Sequence, residues 1–365
     1  MKGLKKIAIE ASNLIDAQPT GIPKYTFNII NGLLSNNGFC SQNDLSLLLS
    51  VSRWKKRKLC PEFNHIKKHW YVKNFLLNDV NLIHYTSTFH NHHKKIPKVA
   101  TVHDLAVLKQ ENSMPFYTSQ ETIERTRQNM QAIAKNAHAI IFVSETTRQD
   151  FLNLYAYPEK QTYVVYLGSS FAAYEFPVAE ASILKKYNIR QKKYYLYTGG
   201  VSIRKNVLNL VKAFIRNMEK TDFDMVLAGT NGFGSDLIYS EIQKYDLTGR
   251  IKCPGFVADT DLIELYQNAA AFVFPTFYEG FGIPIIDAMK FNLPVLIGNR
   301  GSASEIANGF ATIVDPFNVG SIAEGLGNLV NVKGEQLTKA KEYAKGLTWQ
   351  VNAQKTWDVY KTLVQ

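Results

Sequence analysis

Short apolar runs alternate along this chain with longer segments whose apolar positions recur at the three-to-four-residue spacing of a helix. In the first half the runs Lys6–Glu10, Leu45–Val51, Leu82–Tyr85, Val99–His103, Ala139–Val143 and Tyr163–Leu167 predict strands. In the second half the corresponding runs are Tyr194–Thr198, Phe223–Ala228, Ile251–Cys253, Ala271–Phe274, Pro294–Ile297 and Ala311–Val314. Helical spacing predicts helices over Tyr25–Leu34, Gln120–Asn136, Val207–Asn217, Asp259–Ala269 and Ile322–Val330. Several strands are apolar on both faces, as strands covered by helices on both sides must be. Twelve strands, six in each half, predict an α/β protein of two doubly wound, Rossmann-like domains. The junction is expected in the Gly/Ser/Ala-rich stretch Gly168–Ala181, giving domains of 1–175 and 176–348. Ligands of open α/β sheets bind beyond the carboxyl ends of the strands, so two such domains facing each other would enclose a cleft.

Composition narrows the class. A length of 365 residues is large for one core and natural for two. No apolar run approaches the roughly 18 residues of a spanning helix. Glu10 interrupts the first run before a signal-peptide core is complete. Cys40, Cys60 and Cys253 are odd in number and form no C-x-x-C pair, which points to reduced thiols in a cytoplasmic protein.

The net charge of +11 is unevenly spread: residues 1–170 hold 21 Lys/Arg against 12 Asp/Glu, a net of +9. Eight of those basic residues fall in Arg53–Lys73, where Glu62 is the lone acid and Trp54, Phe63, Trp70 and Tyr71 are interleaved. Such a segment fits a solvated helix face with a lysine-rich loop. It equally fits contact with an anionic surface: membrane headgroups, a pyrophosphate-bearing acceptor or nucleic acid.

Candidate chemistry concentrates in Phe277-Tyr-Glu279-Gly280-Phe281-Gly282-Ile-Pro284-Ile-Ile-Asp287. It follows a predicted strand, turns on glycines and starts a helix with Pro284 near its first turn, an arrangement that offers backbone N–H groups to an anion. Glu279 and Asp287, eight residues apart, could accept hydrogen bonds from hydroxyls. Phosphate and sugar together describe a sugar nucleotide. Asp287 is expected about two turns into the helix.

Other loops after predicted strands extend the set. Gly199-Gly200 lead to Arg204-Lys205, a planar fork beside a point charge that suits a diphosphate. Gly21 precedes a helical segment and either approaches an anion or merely shapes a turn. His103 ends a strand and either bonds a ligand or serves the structure. Gly255-Phe256-Val257 could present backbone and an apolar edge to a base, or be a plain turn. The tract His90-Asn-His92-His93 lacks an accompanying acid or cysteine and is followed by Lys94-Lys95, which disfavours a metal site. Neither a G-x-x-x-x-G-K-[ST] loop nor a G-x-S-x-G elbow occurs, and Gly229–Gly234 has the wrong glycine order for a dinucleotide fingerprint.

Thr20-Gly21-Ile22, Val102-His103-Asp104, Val143-Ser-Glu-Thr-Thr-Arg148, Gly199-Gly200…Arg204-Lys205-Asn206, Gly255-Phe256-Val257 and Glu279-Gly-Phe-Gly-Ile-Pro…Asp287 occur in this order. Together they resemble a retaining GT-B glycosyltransferase of family 4, the group 1 type, from the first strand to the last helix. The resemblance implies an acceptor-side domain first and a nucleotide-sugar domain second, with Trp349–Val364 returning to the first. It implies that Arg204 and Lys205 grip the diphosphate, with Gly21 approaching the same phosphates. Glu279 would bond the donor sugar's hydroxyls, the Gly280–Gly282 amides would face sugar or phosphate, and His103 would lie near the reacting centre. Asp287 would take the ribose hydroxyls, and Gly199, Gly200, Phe256 and Val257 would line the nucleotide. The family signature has Glu where this chain has Asp287, one methylene shorter. The resemblance implies that no metal or other cofactor is needed.

The style of the motifs resembles mannosyl- and related transferases of bacterial surface-polysaccharide assembly, with GDP-mannose the first expectation for the donor. A saccharide or lipid-linked saccharide would be the acceptor, and Arg53–Lys73 could then touch an anionic membrane. The same fold could instead serve a sugar-nucleotide epimerase. A nucleic-acid binder driven by the basic half is a further alternative, but no RNA-recognition signature supports it.

Overall fold

The computed structural model describes residues 4–15, 21–63, 66–71, 80–90, 95–109, 119–171, 182–245, 247–332 and 334–364. Thr20, His92, His93 and most of the expected junction lie outside the described residues. The chain forms two compact units. The first comprises the chain up to Leu108, Ser119–Gly168 and the segment from Thr348 onward; Ser169–Leu347 belong to the second.

The first unit carries a parallel sheet of β1 (Lys5–Glu10), β2 (Asn43–Ser50), β3 (Lys67–Tyr71), β4 (Leu82–Tyr85), β5 (Lys98–Val102), β6 (Ala139–Phe142) and β7 (Thr162–Val164). Their spatial order is β3-β2-β1-β4-β5-β6-β7. The second sheet holds β8 (Tyr194–Thr198), β9 (Asp224–Ala228), β10 (Ile251–Gly255), β11 (Ala271–Phe274), β12 (Val295–Gly298) and β13 (Thr312–Val314), ordered β10-β9-β8-β11-β12-β13. In both, the order reverses beside the first strand, the doubly wound arrangement of a Rossmann sheet.

The first sheet has seven strands where the sequence predicts six. The addition, β3, reads Lys67-Lys-His-Trp-Tyr71 and lies at the sheet edge, where lysines discourage further pairing and an apolar run is not required. Pro254 lies inside β10, which is tolerable because β10 is also an edge strand and its register with β9 shifts between Lys252 and Gly255.

In the first unit, Ile83, Ala100, Val102, Ile140, Phe142, Ile133 and Phe151 form one buried cluster. Elsewhere the helices Gly21–Leu34 and Trp349–Lys361 meet closely. A Cβ on Gly32 would stand 2.7 Å from Ala353 Cβ and 2.9 Å from the Trp349 carbonyl oxygen, so glycine is what lets them approach. The returning helix is further tied by Asn352 Nδ2, which donates to the Tyr166 carbonyl at 2.8 Å. Tyr360 hydroxyl lies 2.6 Å from His84 Nδ1, His84 Nε2 lies 2.7 Å from Thr101 Oγ1, and Tyr25 hydroxyl is 2.9 Å from that same oxygen. Complete burial holds the His84 imidazole neutral, lowering its pKa to about 3.

Candidate active site

In the second unit the candidate residues leave the carboxyl ends of β8 and β11, the two neighbours between which the strand order reverses. That reversal is where open α/β sheets bind ligands. β8 is followed by Gly199, whose φ of +135° suits glycine, and by Gly200, whose carbonyl accepts from the Tyr197 hydroxyl at 2.9 Å.

The loop ends at Asn206, in the left-handed region at φ 62° and capping the helix Val207–Asn217. Its buried side-chain amide donates one hydrogen to the Pro275 carbonyl and one to the Pro316 carbonyl, each at 2.7 Å. Asn206 therefore stitches the loop after β8 to the loop after β11. Lys205 Nζ accordingly lies 2.5 Å from Glu279 Oε1, with side chains only 17% and 12% exposed. Arg204 stands exposed beside this pair. Burial first, then the Glu279 carboxylate, push the Tyr197 phenol far above its ordinary range, while Arg204 pulls it down. Charges of both signs thus converge on one end of the sheet.

Gly280, Phe281 and Gly282 carry the chain from Glu279 into the helix Ile283–Lys290, capped by Gly282 at φ +93° and with proline in its first turn. The buried Ser302 grips this loop from the turn after β12. Its N–H donates to the Glu279 carbonyl at 3.0 Å, and its hydroxyl approaches the same oxygen at 3.0 Å and the Phe281 carbonyl at 3.1 Å. The preceding Gly301 has φ +62°, and a Cβ there would stand 2.6 Å from Glu279 oxygen.

Asp287 departs from expectation. It is the fifth residue of its helix, little more than one turn in, and is buried. Its Oδ1 accepts from the Ser169 hydroxyl at 2.7 Å and from the Ser170 N–H at 2.9 Å. Lys290 and Tyr266 also feel its charge. That oxygen serves the fold, binding the start of the second unit to the helix. Phe256 and Val257 follow the edge strand β10, two strands from β8; Phe256 is 66% exposed.

The remaining candidates belong to the first unit. Gly21 opens the helix Gly21–Leu34 and has open space around it. His103 directly follows β5, and its Nε2 lies 2.8 Å from the Thr86 carbonyl. A carbonyl only accepts, so Nε2 carries the hydrogen and the neutral ring leaves Nδ1 as an acceptor. Burial keeps the ring neutral by lowering its pKa, against the opposing effects of Thr86 and Asp104. A cavity of about 460 Å³ is lined by Ile22, Ser87, Thr88, His103, Arg125 and Asn129, among others. Asn129 shapes it by accepting from the Phe89 N–H at 2.9 Å.

The structure thus brings Lys205, Glu279 and the two glycine loops together in the second unit, and His103 beside Ile22 in the first. Sequence reasoning missed Asn206, Ser302 and Asn129 as parts of the site. Asn206 stands in the same run as Arg204-Lys205, so its neighbours were the signal. Ser302 and Asn129 had none, because their roles depend on carbonyls distant in the chain. His90, the described member of the histidine tract, packs edge-on against Tyr71 and Tyr85.

The model of the glycosyl transferases group 1 matches residues 180–347, and that of glycosyltransferase family 4 matches residues 49–169. The chain belongs to the family 4 glycosyltransferases. Its two sheets and their order are those of the GT-B fold. The glycosyltransferase is 29% identical over 287 residues to the O-antigen chain mannosyltransferase B of Escherichia coli, covering 77% of this chain and 74% of that one. It is 26% identical to the serotype-specific mannosyltransferase WbdA of the same organism, covering 61% of this chain and 28% of that longer protein. The Anabaena protein HepE, solved with UDP and glucose, superposes with a TM-score of 0.74 at 15% identity, over 99% of this chain and 100% of that one. No helix among the described residues is long and apolar enough to cross a membrane.

Proposed function

We propose that this glycosyltransferase moves a hexose from a nucleoside diphosphate sugar, GDP-mannose first among the candidates, onto a saccharide or lipid-linked saccharide during polysaccharide assembly. The pairing of Lys205 with Glu279 at 2.5 Å between β8 and β11 carries the reading, because it sets a phosphate-binding cation beside a hydroxyl-binding carboxylate. The names of the mannosyltransferase relatives support the sugar and the setting, and HepE's complex with UDP supports a nucleotide donor.

On this reading Arg204 and Lys205 hold the diphosphate and stabilise it as it leaves, the role in which preorganised positive groups are most effective. Glu279 and the Gly280–Gly282 amides orient the sugar, and His103 accepts a sugar hydroxyl on Nδ1. The acceptor oxygen bonds to the anomeric carbon on the face from which the diphosphate departs. Attack on that face retains the configuration, and the acceptor's proton passes to the departing phosphate oxygen. No metal ion takes part. Gly199, Gly200, Phe256 and Val257 line the nucleotide, and Asp287 contributes to the ribose through whatever reach its Ser169 and Ser170 bonds leave.

A thermal-shift panel of GDP, UDP, ADP and their sugars, followed by product NMR with and without EDTA, tests the whole. The expected result is a shift by one nucleotide class and an α-linked product from GDP-α-mannose that is indifferent to EDTA. A panel with no shift sinks the donor reading, an inverted product sinks retention, and loss of turnover in EDTA sinks metal independence.

A lipid-linked acceptor also accounts for the segment Val51–Leu59. Its basic residues Arg53, Lys55, Lys56, Arg57 and Lys58 flank an exposed Trp54 and Leu59, with Arg57 4.8 Å over the Trp54 ring. Apolar side chains among cations suit an anionic bilayer surface. Co-sedimentation with phosphatidylglycerol vesicles but not phosphatidylcholine vesicles is expected, and equal behaviour on both would remove this contact.

A further inference from the structure

We propose that Ser302 is a positioning residue for the transfer reaction: it sets the direction in which the Glu279–Gly282 loop presents its amides. The inference rests on the reading of that loop as the donor-sugar site. Ser302 is fully buried in the turn between β12 and the helix Ala303–Ala307. One hydroxyl hydrogen serves two carbonyls, Glu279 at 3.0 Å and Phe281 at 3.1 Å, as a three-centre bond, and the Ser302 N–H adds a second bond to Glu279 at 3.0 Å.

The geometry of the peptide bond turns this grip into a functional statement. In a planar trans peptide the carbonyl and the following N–H point to opposite sides, and no peptide bond of the described chain is cis. With the Glu279 and Phe281 carbonyls both turned toward Ser302, the N–H groups of Gly280 and Gly282 are directed away from it. These two alternate amides thus share one orientation, as N–H donors that meet oxygen atoms bearing negative charge would. Neither glycine could impose this alone, since a residue without a side chain leaves its peptide planes free to rotate.

Gly301 completes the device. At φ +62° it brings Ser302 under the loop, and its Cα has backbone atoms of Glu279 where a Cβ would stand, at 2.6 and 2.8 Å. The carboxylate of Glu279, which meets Lys205, extends from the same gripped residue. Losing the hydroxyl therefore disturbs the amides and the carboxylate at once, while Arg204 and Lys205 keep their own supports through Asn206.

The test compares Ser302→Ala with Ser302→Thr in the full chain, using GDP and GDP-mannose as probes. Ser302→Ala should bind GDP as the wild type does, bind GDP-mannose more weakly, and lose on the order of 10²-fold in kcat, the usual effect of misplacing a reacting group by about 1 Å. The KM for the acceptor should not move. Ser302→Thr, which keeps the hydroxyl, should recover most of the loss. Unchanged kcat in Ser302→Ala, or a threonine variant no better than alanine, overturns the proposal. If Ser302→Ala melts below the assay temperature, the hydroxyl is a structural support only, and the proposal falls as well. A wild-type enzyme that ignores every nucleotide sugar would instead overturn the donor reading, so the two failures are distinguishable.

Discussion

Replacing Lys205 by alanine removes one partner of the 2.5 Å ion pair and leaves the Glu279 carboxylate, 12% exposed, without its cation. The pair is close to the buried limit, where stranding one charge costs about 3 kcal/mol at the lower end of the usual range. For a unit of this size that corresponds to a drop in Tm of ~6–12 °C. The catalytic loss has a separate origin, because Lys205 is also proposed to hold the leaving diphosphate. Removing one such stabilising group lowers kcat by ~10²–10³. The two effects can be separated by adding Glu279→Gln, which removes the stranded charge. The double variant should regain most of the lost Tm and none of the lost turnover. Differential scanning fluorimetry and a nucleotide-release assay read the two quantities on the same samples. If Lys205→Ala turned over at a near wild-type rate, or if the double variant recovered activity along with stability, Lys205 would be a structural lysine and the diphosphate role would be wrong.

Asp287→Glu restores the usual family residue, yet it is expected to destabilise by ~1–3 kcal/mol, because an extra methylene must fit a filled site bonded to Ser169 and Ser170. Melting at or above the wild-type temperature would show that the helix has room for it. His84 gives a pH prediction with a definite sign. The unfolded imidazole binds a proton below about 6.5, whereas the folded one does so only near 3. Stability from this group is therefore intact above pH 6.5 and is lost at ~1.4 kcal/mol per pH unit as pH falls from there toward 3. Urea titrations between pH 7 and 4 should show a flatter pH dependence in His84→Gln, and an unchanged slope would remove His84 as its cause.

Much of this architecture could be read from periodicity, because buried parallel strands are apolar on both faces and their helices keep a regular stripe. β3 escaped for the physical reason that an edge strand is partly solvated, so Lys67 and Lys68 cost it nothing. The loops after β8 and β11 were legible as chemistry, since glycine, arginine, lysine and glutamate have few reasons to cluster at strand ends. How these loops hold one another was not. Asn206 reaches carbonyls of Pro275 and Pro316, and Ser302 reaches Glu279 and Phe281; side-chain bonds to distant backbone leave no pattern in the residues between. Asp287 shows the converse. Its place in the motif was plain, but motif spacing does not reveal that Ser169 and Ser170 already hold one of its oxygens.

The close seating of Trp349–Lys361 against Gly32 has a consequence for the order in which the protein is made. Domains generally fold in sequence as the chain emerges from the ribosome. Here the helix that covers the first unit is synthesised after the whole second unit. Until it arrives, His84 lacks Tyr360 and the groove at Gly32 is uncovered. The second unit can close on its own residues, while the unit begun first must be finished last.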